Sequence, residues 1–264
     1  MAETLSESPA LLEVRGLNVF AGTRPLLRDI NLRIPGGCAL ALVGPSGAGK
    51  STLLKCLNRL IDLTPGLSVR GDVLFHGQSI FAPGTDVDAL RARIGILFQQ
   101  PAVFPKSIRQ NVLFGVRHLG RVPKREWPAT AERALREAAL WDEVKDRLDE
   151  SALKLSVGQQ QRLCLARTLA VDPEIILLDE PTSALDARST EAVEESLLRL
   201  KGKRTLVLVT HNFGQARRLA DWTACVSVRD GAGEISGCSA CGDLLAVTEP
   251  VEETIAFKPP RSQG

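Results

Sequence analysis

The sequence predicts an α/β fold with a parallel core sheet, an N-terminal antiparallel β subdomain and an inserted α-helical subdomain. The apolar runs 38–43, 175–178 and 205–210 alternate with helical patterns, which is typical of a parallel sheet covered on both faces. Residues 11–34 alternate apolar and polar side chains around turn residues, which predicts antiparallel strands. The stretch 101–157 contains several prolines and then apolar residues at steps of three or four, which predicts amphipathic helices.

Length and charge narrow the possible classes of protein. A chain of 264 residues can form one large domain or two small ones, and its formal net charge of +2 gives no indication of a nucleic-acid partner. No apolar run approaches the about 20 residues needed to cross a bilayer. Residues 1–9 lack the basic and apolar blocks of a secretion signal. We therefore expect a protein that is soluble, or bound to a membrane through a partner.

We predict that residues 1–264 form a single domain. Residues of about 11–98 and 166–233 would supply the β and core parts, residues of about 99–165 the helical subdomain, and residues 234–264 a small C-terminal extension. Cys238 and Cys241 form a C-x-x-C pair in that extension. Because the sequence offers no second such pair, free thiols are a better interpretation than a metal site.

A phosphate-binding loop is the first functional motif. Gly44-Pro45-Ser46-Gly47-Ala48-Gly49-Lys50-Ser51-Thr52 fits the pattern G-x-x-x-x-G-K-[ST]. An apolar strand precedes it and leucines at helical spacing follow it, so the context favours a P-loop NTPase over an ordinary Gly-rich turn. Backbone N–H groups and the following helix N-terminus would face an anion. Lys50 would reach the outer phosphates, and the Ser51 hydroxyl would ligate Mg²⁺.

Polar residues follow three other predicted strands. Asp179 and Glu180 end the run 175–178, where the aspartate would hold Mg²⁺ and the glutamate would orient or deprotonate the attacking water. His211 follows the strand 205–210, and Gln99 follows the short run 94–98. Because ligands gather at the carboxyl ends of parallel strands, we expect His211 near the terminal phosphate and Gln99 near Mg²⁺ or water.

A further segment, Leu155 to Arg162, opens a predicted helix about twenty residues before Asp179. Its residues Ser156, Val157, Gly158 and Gln159 would place a second helix N-terminus where it could bind an anion. A serine N-cap explains Ser156 equally well when this segment is considered alone.

Together these segments resemble the ATP-binding subunit of ABC transporters over nearly the whole chain. By that resemblance Gly44–Thr52 is the Walker A loop, 175–180 is the Walker B strand with catalytic Glu180, and Gln99 is the Q-loop residue. Residues 155–159 are the signature, 183–186 the D-loop ending in Asp186, and His211 the switch histidine.

The resemblance implies an ATPase coupled to transmembrane solute transport, with ATP and Mg²⁺ as its ligands. A second copy or a paralogue would close head to tail on this chain, so that the signature of one subunit meets ATP held by the other. Integral membrane permease subunits would be direct partners and a solute-binding protein an indirect one, with no nucleic acid. The subunit would lie at the cytoplasmic face of the cell membrane.

Finer similarity points to the ATPase of phosphate importers. The segments that carry it are 58–60, 63–66, 98–101, 104–108, 139–148 and 210–212. Residues 104–107 would lie beside the contact with the membrane subunit. Polar amino acids or another oxyanion are alternative cargoes, and a degenerate subunit of a heteromeric transporter is an alternative role. A soluble ABC ATPase of DNA repair or translation is disfavoured by the single ATPase unit and the balanced charge.

Two residues in the site depart from the family pattern. Val157 stands where the signature usually has glycine, and its side chain would crowd the γ-phosphate and strain the backbone if φ were positive. Ala21 stands where an aromatic residue usually stacks on adenine, so either Phe20 replaces it or base discrimination is loose. The C-terminal tail also departs from the phosphate-importer pattern.

Overall fold

The computed structural model describes residues 10–240, in which ten strands form one mixed sheet. The strands are β1 (Ala10–Ala21), β2 (Arg24–Pro35), β3 (Ala39–Val43), β4 (Leu67–Phe75), β5 (Gln78–Ser79), β6 (Ile94–Leu97), β7 (Ile175–Asp179), β8 (Thr205–Val209), β9 (Trp222–Arg229) and β10 (Ala232–Ala240). Their order across the sheet is β5-β4-β1-β2-β10-β9-β3-β8-β7-β6.

Helices connect the strands of the core and form the inserted subdomain. They are α1 (Lys50–Leu57), α2 (Val87–Arg93), α3 (Ile108–Val112), α4 (Phe114–Leu119), α5 (Trp127–Glu137), α6 (Trp141–Val144), α7 (Val157–Leu169), α8 (Ala187–Leu200) and α9 (Phe213–Leu219). Short 3₁₀ turns occupy Leu60–Leu63, Lys124–Glu126, Lys145–Arg147 and Ala152–Lys154. Helices α3 to α6 lie between β6 and α7, so the predicted helical insertion is confirmed. Within residues 10–240, no helix combines the length and the apolar character needed to cross a bilayer.

Strand pairing confirms the two predicted kinds of sheet. Strands β9, β3, β8, β7 and β6 run parallel to one another, and β1 pairs antiparallel with both β2 and β4. The parallel strands are short and buried on both faces, as their continuous apolar sequence requires. Their carboxyl ends meet at one edge of the sheet, where the polar residues identified above follow them.

Strands β9 and β10 join the two parts of the sheet. β10 pairs antiparallel with β9 along its length and meets β2 in parallel at Gly233 and Leu27. The boundary expected at residue 234 therefore falls inside β10, and residues 234–240 belong to the sheet. Cys238 lies in β10 and is half-buried, whereas Cys241 lies outside the described residues.

The sheet separates two apolar clusters. Along β3, Ala39, Ala41 and Val43 contribute to the cluster that contains the helical subdomain. Leu40 and Leu42 point to the opposite cluster, where α1 packs against the antiparallel strands. Because β3 alternates between both clusters, the loop that follows it starts from a strand fixed on both faces.

Candidate functional site

The loop between β3 and α1 forms a backbone cradle that only glycine permits at two positions. Gly44 has a φ of 148°, and a Cβ there would lie 2.0 Å from the Val226 carbonyl oxygen. Gly49 caps α1 with a φ of 87°, and a Cβ there would lie 2.5 Å from Leu27 Cδ2. The chain therefore passes against β9 and β2 while its N–H groups remain available at the start of α1.

Lys50 is held inside this loop. Its side-chain ammonium donates to the carbonyl oxygens of Gly44 and Pro45 at 2.8 and 2.7 Å, and the residue is only 6% exposed. Burial lowers the pKa of Lys50, although the nearby charges of Glu180 and Asp179 act in the opposite direction. The cation thus lies close to the two carboxylates that end β7.

Ser51 and Asp179 connect α1 with the end of β7. The Ser51 hydroxyl donates to Asp179 Oδ1 at 2.7 Å. Burial raises the pKa of Asp179, while the hydrogen bond from Ser51 and the charges of Lys55 and Lys50 lower it. The contact places a hydroxyl and a carboxylate oxygen side by side, which are the oxygen ligands that a hard cation such as Mg²⁺ takes.

Glu180 and His211 face each other across the ends of β7 and β8. His211 Nδ1 lies 3.2 Å from Glu180 Oε2, and the side chains are 64% and 22% exposed respectively. Glu180 has a left-handed backbone with a φ of 45°, a conformation that costs a non-glycine residue about 1 kcal/mol or more. Its N–H donates to the Val209 carbonyl at 3.0 Å, and Ser183 donates to its carbonyl, so the strained turn is held from both sides.

Gln99 and Phe20 lie at the margins of this group. Gln99 is exposed and follows the end of β6, at the edge where Asp179 ends the neighbouring β7. Phe20 lies near the end of β1, and the Arg70 guanidinium lies 5.3 Å from its ring centroid. Its neighbour Val19 pairs with Leu27, the residue that packs against the phosphate loop, so this end of β1 approaches the loop.

The signature residues form the N-terminus of α7. Ser156 accepts a hydrogen bond from the Gln159 N–H, and its own N–H donates to Gln159 Oε1, which is a complete capping box. Ser156 and Val157 are exposed, Val157 to 50%. Val157 has ordinary helical backbone with no positive φ, so the strain expected if φ were positive is absent. The cap at Ser156 is the physical reason, because it sets Val157 as the first helical residue.

The signature also packs against the first turn of α8, which follows the D-loop. Gly158 is buried, and a Cβ there would lie 2.2 Å from Ser189 Oγ. Ser189 in turn donates both its N–H and its hydroxyl to the Asp186 carboxylate, at 2.9 Å each. Asp186 is thereby the N-cap of α8. The N-termini of α7 and α8 are therefore one packed unit.

Several buried polar side chains around the site were not identified from the sequence. Gln161 is fully buried and donates to the carbonyls of Phe98 and Pro181, which links the Q-loop segment to the end of β7. Glu194 accepts from Gln215 and Arg218 and is 9% exposed. A cavity of about 180 Å³ lies between that network and the Glu180–His211 pair. The one sequence feature that could have identified these side chains is that each is a polar residue on an otherwise apolar helix face.

Five of the expected site residues are thus joined by direct contacts or charge interactions at one edge of the sheet, namely Lys50, Ser51, Asp179, Glu180 and His211. Gln99 lies on the same edge. The signature instead contacts α8 through Gly158 and presents Ser156 and Val157 to solvent. The chain therefore carries two separate groups of candidate functional residues.

Comparison with known proteins identifies relatives over most of the chain. A family model described as ABC transporter matches residues 27–183. The phosphate import ATP-binding protein PstB 1 of Vibrio parahaemolyticus is 51% identical over 222 residues, covering 84% of this chain and 82% of that protein. The phosphate import ATP-binding protein PstB of Shewanella denitrificans is 50% identical over the same shares of both chains.

Solved structures with the same fold include transport ATPases. The structure of cbiO1 from Clostridium perfringens, part of the ABC transporter complex cbiONQ, has a TM-score of 0.75 and 26% identity over 90% of this chain and 91% of that one. A bacterial Atm1-family ABC exporter with ATP bound has a TM-score of 0.74 and 27% identity, over 92% of this chain and 42% of that one.

Proposed function

The chain belongs to the ABC transporter ATP-binding family, and from this premise we propose that it is the ATP-hydrolysing subunit of an importer of inorganic phosphate. One observation carries the hydrolytic part of the proposal. The contact of Glu180 with His211 lies beside Lys50, Ser51 and Asp179, where three neighbouring parallel strands end. Identity of 50–51% to phosphate import ATP-binding proteins supports the choice of cargo.

We infer a role for each side chain around the triphosphate. Lys50 neutralises the outer phosphates from inside the loop, and the N–H groups at the start of α1 donate to them. Glu180 accepts a hydrogen bond from the attacking water and orients it toward the γ-phosphate. His211 fixes the Glu180 carboxylate through Nδ1 and leaves its other ring nitrogen for the γ-phosphate. Phe20 stacks on the adenine in place of an aromatic residue at position 21, or else base discrimination is loose.

The oxygen ligands beside the loop fit Mg²⁺. The observation that supports this is the Ser51–Asp179 contact of 2.7 Å, in which a hydroxyl and a largely desolvated carboxylate lie next to Lys50. We infer that Ser51, Asp179 and Gln99 hold the ion together with phosphate oxygens and water, as Mg²⁺ sites commonly do. The ion supplies charge neutralisation at the β- and γ-phosphates.

The exposure of the signature supports the proposal of a second subunit. Ser156, Val157 and the α7 N-terminus face solvent, so a second copy or a paralogue facing this chain head to tail would receive them at its own triphosphate. ATP binding would close the pair and hydrolysis would reopen it. Permease subunits would convert that motion into solute movement, with this subunit held at the cytoplasmic face of the membrane and a solute-binding protein delivering the cargo.

A hydrophobic surface supports the contact with permease subunits. The rings of Phe104 and Phe114 lie 4.5 Å apart, and the Arg167 guanidinium lies 4.5 Å from the Phe104 ring. Phe114 is 43% exposed and Phe98, next to Gln99, is 39% exposed. Exposed aromatic residues of this kind are typical anchors of protein interfaces. A Phe114→Ser variant should bind ATP normally and fail to co-purify with the permease.

The decisive test of the hydrolytic mechanism is Glu180→Gln. This isosteric change removes the base and should abolish turnover, while ATP still drives formation of a stable dimer. Asp142→Asn is a matched control, because it makes the same carboxylate-to-amide change at an exposed residue of α6, outside the group around Lys50. Normal turnover by Glu180→Gln, measured as phosphate release, would contradict the assigned role.

The cargo is tested by transport. The subunit reconstituted with its own membrane partners in vesicles should drive uptake of labelled inorganic phosphate and not of glutamate or sulfate. Uptake of another solute in place of phosphate would contradict the proposed cargo and leave the proposed ATPase activity intact. The alternative of a degenerate subunit is favoured by Val157 and Ala21, and it would be established if the wild-type complex hydrolysed ATP only at a paralogue's loop.

A further inference from the structure

A chain of hydrogen bonds connects the signature with α6, a helix that has no part in the mechanism above. Gln159 uses its side-chain oxygen to accept from the Ser156 N–H at 3.0 Å. Its side-chain nitrogen donates to Glu143 Oε2 at 2.7 Å. The amide of Gln159 is therefore held at both ends, one by the cap of α7 and the other by a carboxylate on α6.

The second oxygen of Glu143 is anchored in the interior. Arg162, whose side chain is 7% exposed, donates from Nη1 to Glu143 Oε1 at 2.6 Å and to the Ala139 carbonyl at 2.5 Å. Ala139 has a positive φ of 51° and lies just before α6. The guanidinium therefore fixes the start of α6 and its carboxylate together, and both acceptor oxygens of Glu143 are occupied by donors from α7.

The electrostatic environment favours an ionised Glu143. Burial alone would raise the pKa of Glu143, but the hydrogen bonds from Arg162 and Gln159 and the charge of Arg188 outweigh it, and the pKa is lowered. Arg188 lies in the first turn of α8, next to the D-loop. An ionised carboxylate gives the stronger type of hydrogen bond, so the orientation of Gln159 is well defined.

We propose that Glu143 is a positioning residue for the signature, holding Gln159 so that Ser156 and the α7 N-terminus meet the triphosphate of the facing subunit in a fixed orientation. This inference rests on the proposed head-to-tail dimer. It predicts an effect on closure and not on the loop that binds ATP within the same chain, because the Glu143 side chain is hydrogen-bonded to Gln159 and Arg162, which both lie in α7.

The test measures ATP-driven dimerisation in the Glu180→Gln background, where hydrolysis does not dissolve the dimer. Adding Glu143→Gln keeps an oxygen for the buried Arg162 and places an amide against Gln159, so the bond to Gln159 is lost. We expect the dimer dissociation constant to rise on the order of tenfold, as the loss of a charge-assisted hydrogen bond implies. Binding of a fluorescent ATP analogue to the monomer should stay unchanged, whereas the melting temperature should fall, because the buried Arg162 loses its counter-charge.

Two further variants make the result specific. Asp142→Asn changes the neighbouring exposed carboxylate, 83% exposed, and should leave dimerisation unchanged. Glu143→Gln combined with Gln159→Glu exchanges donor and acceptor across the same contact and should recover most of the lost affinity. If Glu143→Gln does not fold, Glu143→Asp keeps the negative charge beside Arg162 but shortens the reach to Gln159, and it should weaken dimerisation in the same way.

The possible outcomes separate this inference from the proposed function. Dimerisation of the Glu143→Gln protein equal to its background would overturn the role of Glu143. A loss of monomer ATP binding in parallel with the loss of dimerisation would also overturn it, because it would indicate a general structural role. If Glu180→Gln alone does not dimerise with ATP, the proposed function itself fails, and the inference fails with it.

Discussion

The contact between Gly158 and Ser189 predicts that Gly158→Ala destabilises the protein, whereas helix propensity alone predicts that it stabilises it. Gly158 lies in the first turn of α7, where alanine would normally stabilise a helix by up to about 1 kcal/mol. In this fold the added Cβ would lie 2.2 Å from Ser189 Oγ and 2.5 Å from Ser189 Cβ. Rotation of the serine removes only the first of these clashes, so α7 and α8 must move apart.

The magnitude follows from these opposing effects. Extra methyl groups in a well-packed contact typically cost about 1–3 kcal/mol. Set against the propensity gain, Gly158→Ala should lower the free energy of unfolding by about 1–2 kcal/mol. In a protein of this size that corresponds to a melting temperature lower by about 3–6 °C.

The assay is thermal unfolding of Gly158→Ala, Ser189→Gly and the double variant. Ser189→Gly alone should destabilise the protein, because it loses the hydrogen bond to Asp186 and places a glycine in a helix. In the double variant the clash is gone, since the nearest Ser189 atom is then its Cα at 3.8 Å. The two changes should therefore show a favourable coupling energy of about 1–2 kcal/mol.

Gly237→Ala serves as the control, because nothing lies within 4 Å of its added Cβ and its φ is ordinary. Its melting temperature should equal or slightly exceed that of the wild type. The reasoning fails if Gly158→Ala melts at or above the wild-type temperature. It also fails if the loss of unfolding free energy in the double variant equals the sum of the losses in the two single variants, because the proposed steric contact would then be absent.

Three other predictions concern the site and its surroundings. Val157→Gly should raise the ATPase rate severalfold by removing the exposed isopropyl group from the signature, at a stability cost of up to about 1 kcal/mol. Ala21→Tyr should supply an aromatic partner for adenine and lower the KM for ATP relative to GTP, measured by phosphate release. Burial raises the pKa of Glu174, but hydrogen bonds from Arg93 and His76 outweigh burial and leave the pKa lowered. The ionised Glu174 therefore stabilises the folded state at pH values above its unfolded pKa. This stabilisation is lost as the pH falls through the folded pKa. Glu174→Gln should therefore lower the melting temperature by about 1–2 °C at pH 7, and the difference should vanish in acid.

The parts of the fold that the sequence predicts are those with a local signal. Short apolar runs ending in polar residues identify β3, β7 and β8, and alternation around turns identifies β1 and β2. The position of β10 has no such signal. It lies between β9 and β2 and touches β2 at a single register position, which depends on long-range pairing between residues about 200 positions apart.

The same distinction applies to the site. The sequence identifies Lys50 through the loop pattern that contains it. It identifies the other three residues because they lie at or directly after the ends of predicted strands, namely Asp179, Glu180 and His211. Glu143 could not, because its importance depends on which face of α7 meets α6, and the spacing of apolar residues leaves that open. Val157 would have been strained if its φ were positive. It is not, because the side chain of Gln159 completes a cap that fixes the backbone before Val157.

The two groups of functional residues are attached to different supports, and this has a mechanical consequence. Asp179, Glu180 and His211 stand at or just beyond the ends of parallel strands that are buried on both faces, and Lys50 begins α1, the helix that follows β3. The signature stands on α7, fixed to α6 by Glu143 and to α8 by the close contact of Gly158 with Ser189. Gln161 is the connection between them, since its buried amide binds the carbonyls of Phe98 beside Gln99 and Pro181 beside Glu180. A movement of the Q-loop segment would therefore be transmitted to α7 as a rigid unit, which lets an event at one triphosphate reorient the signature offered to the other.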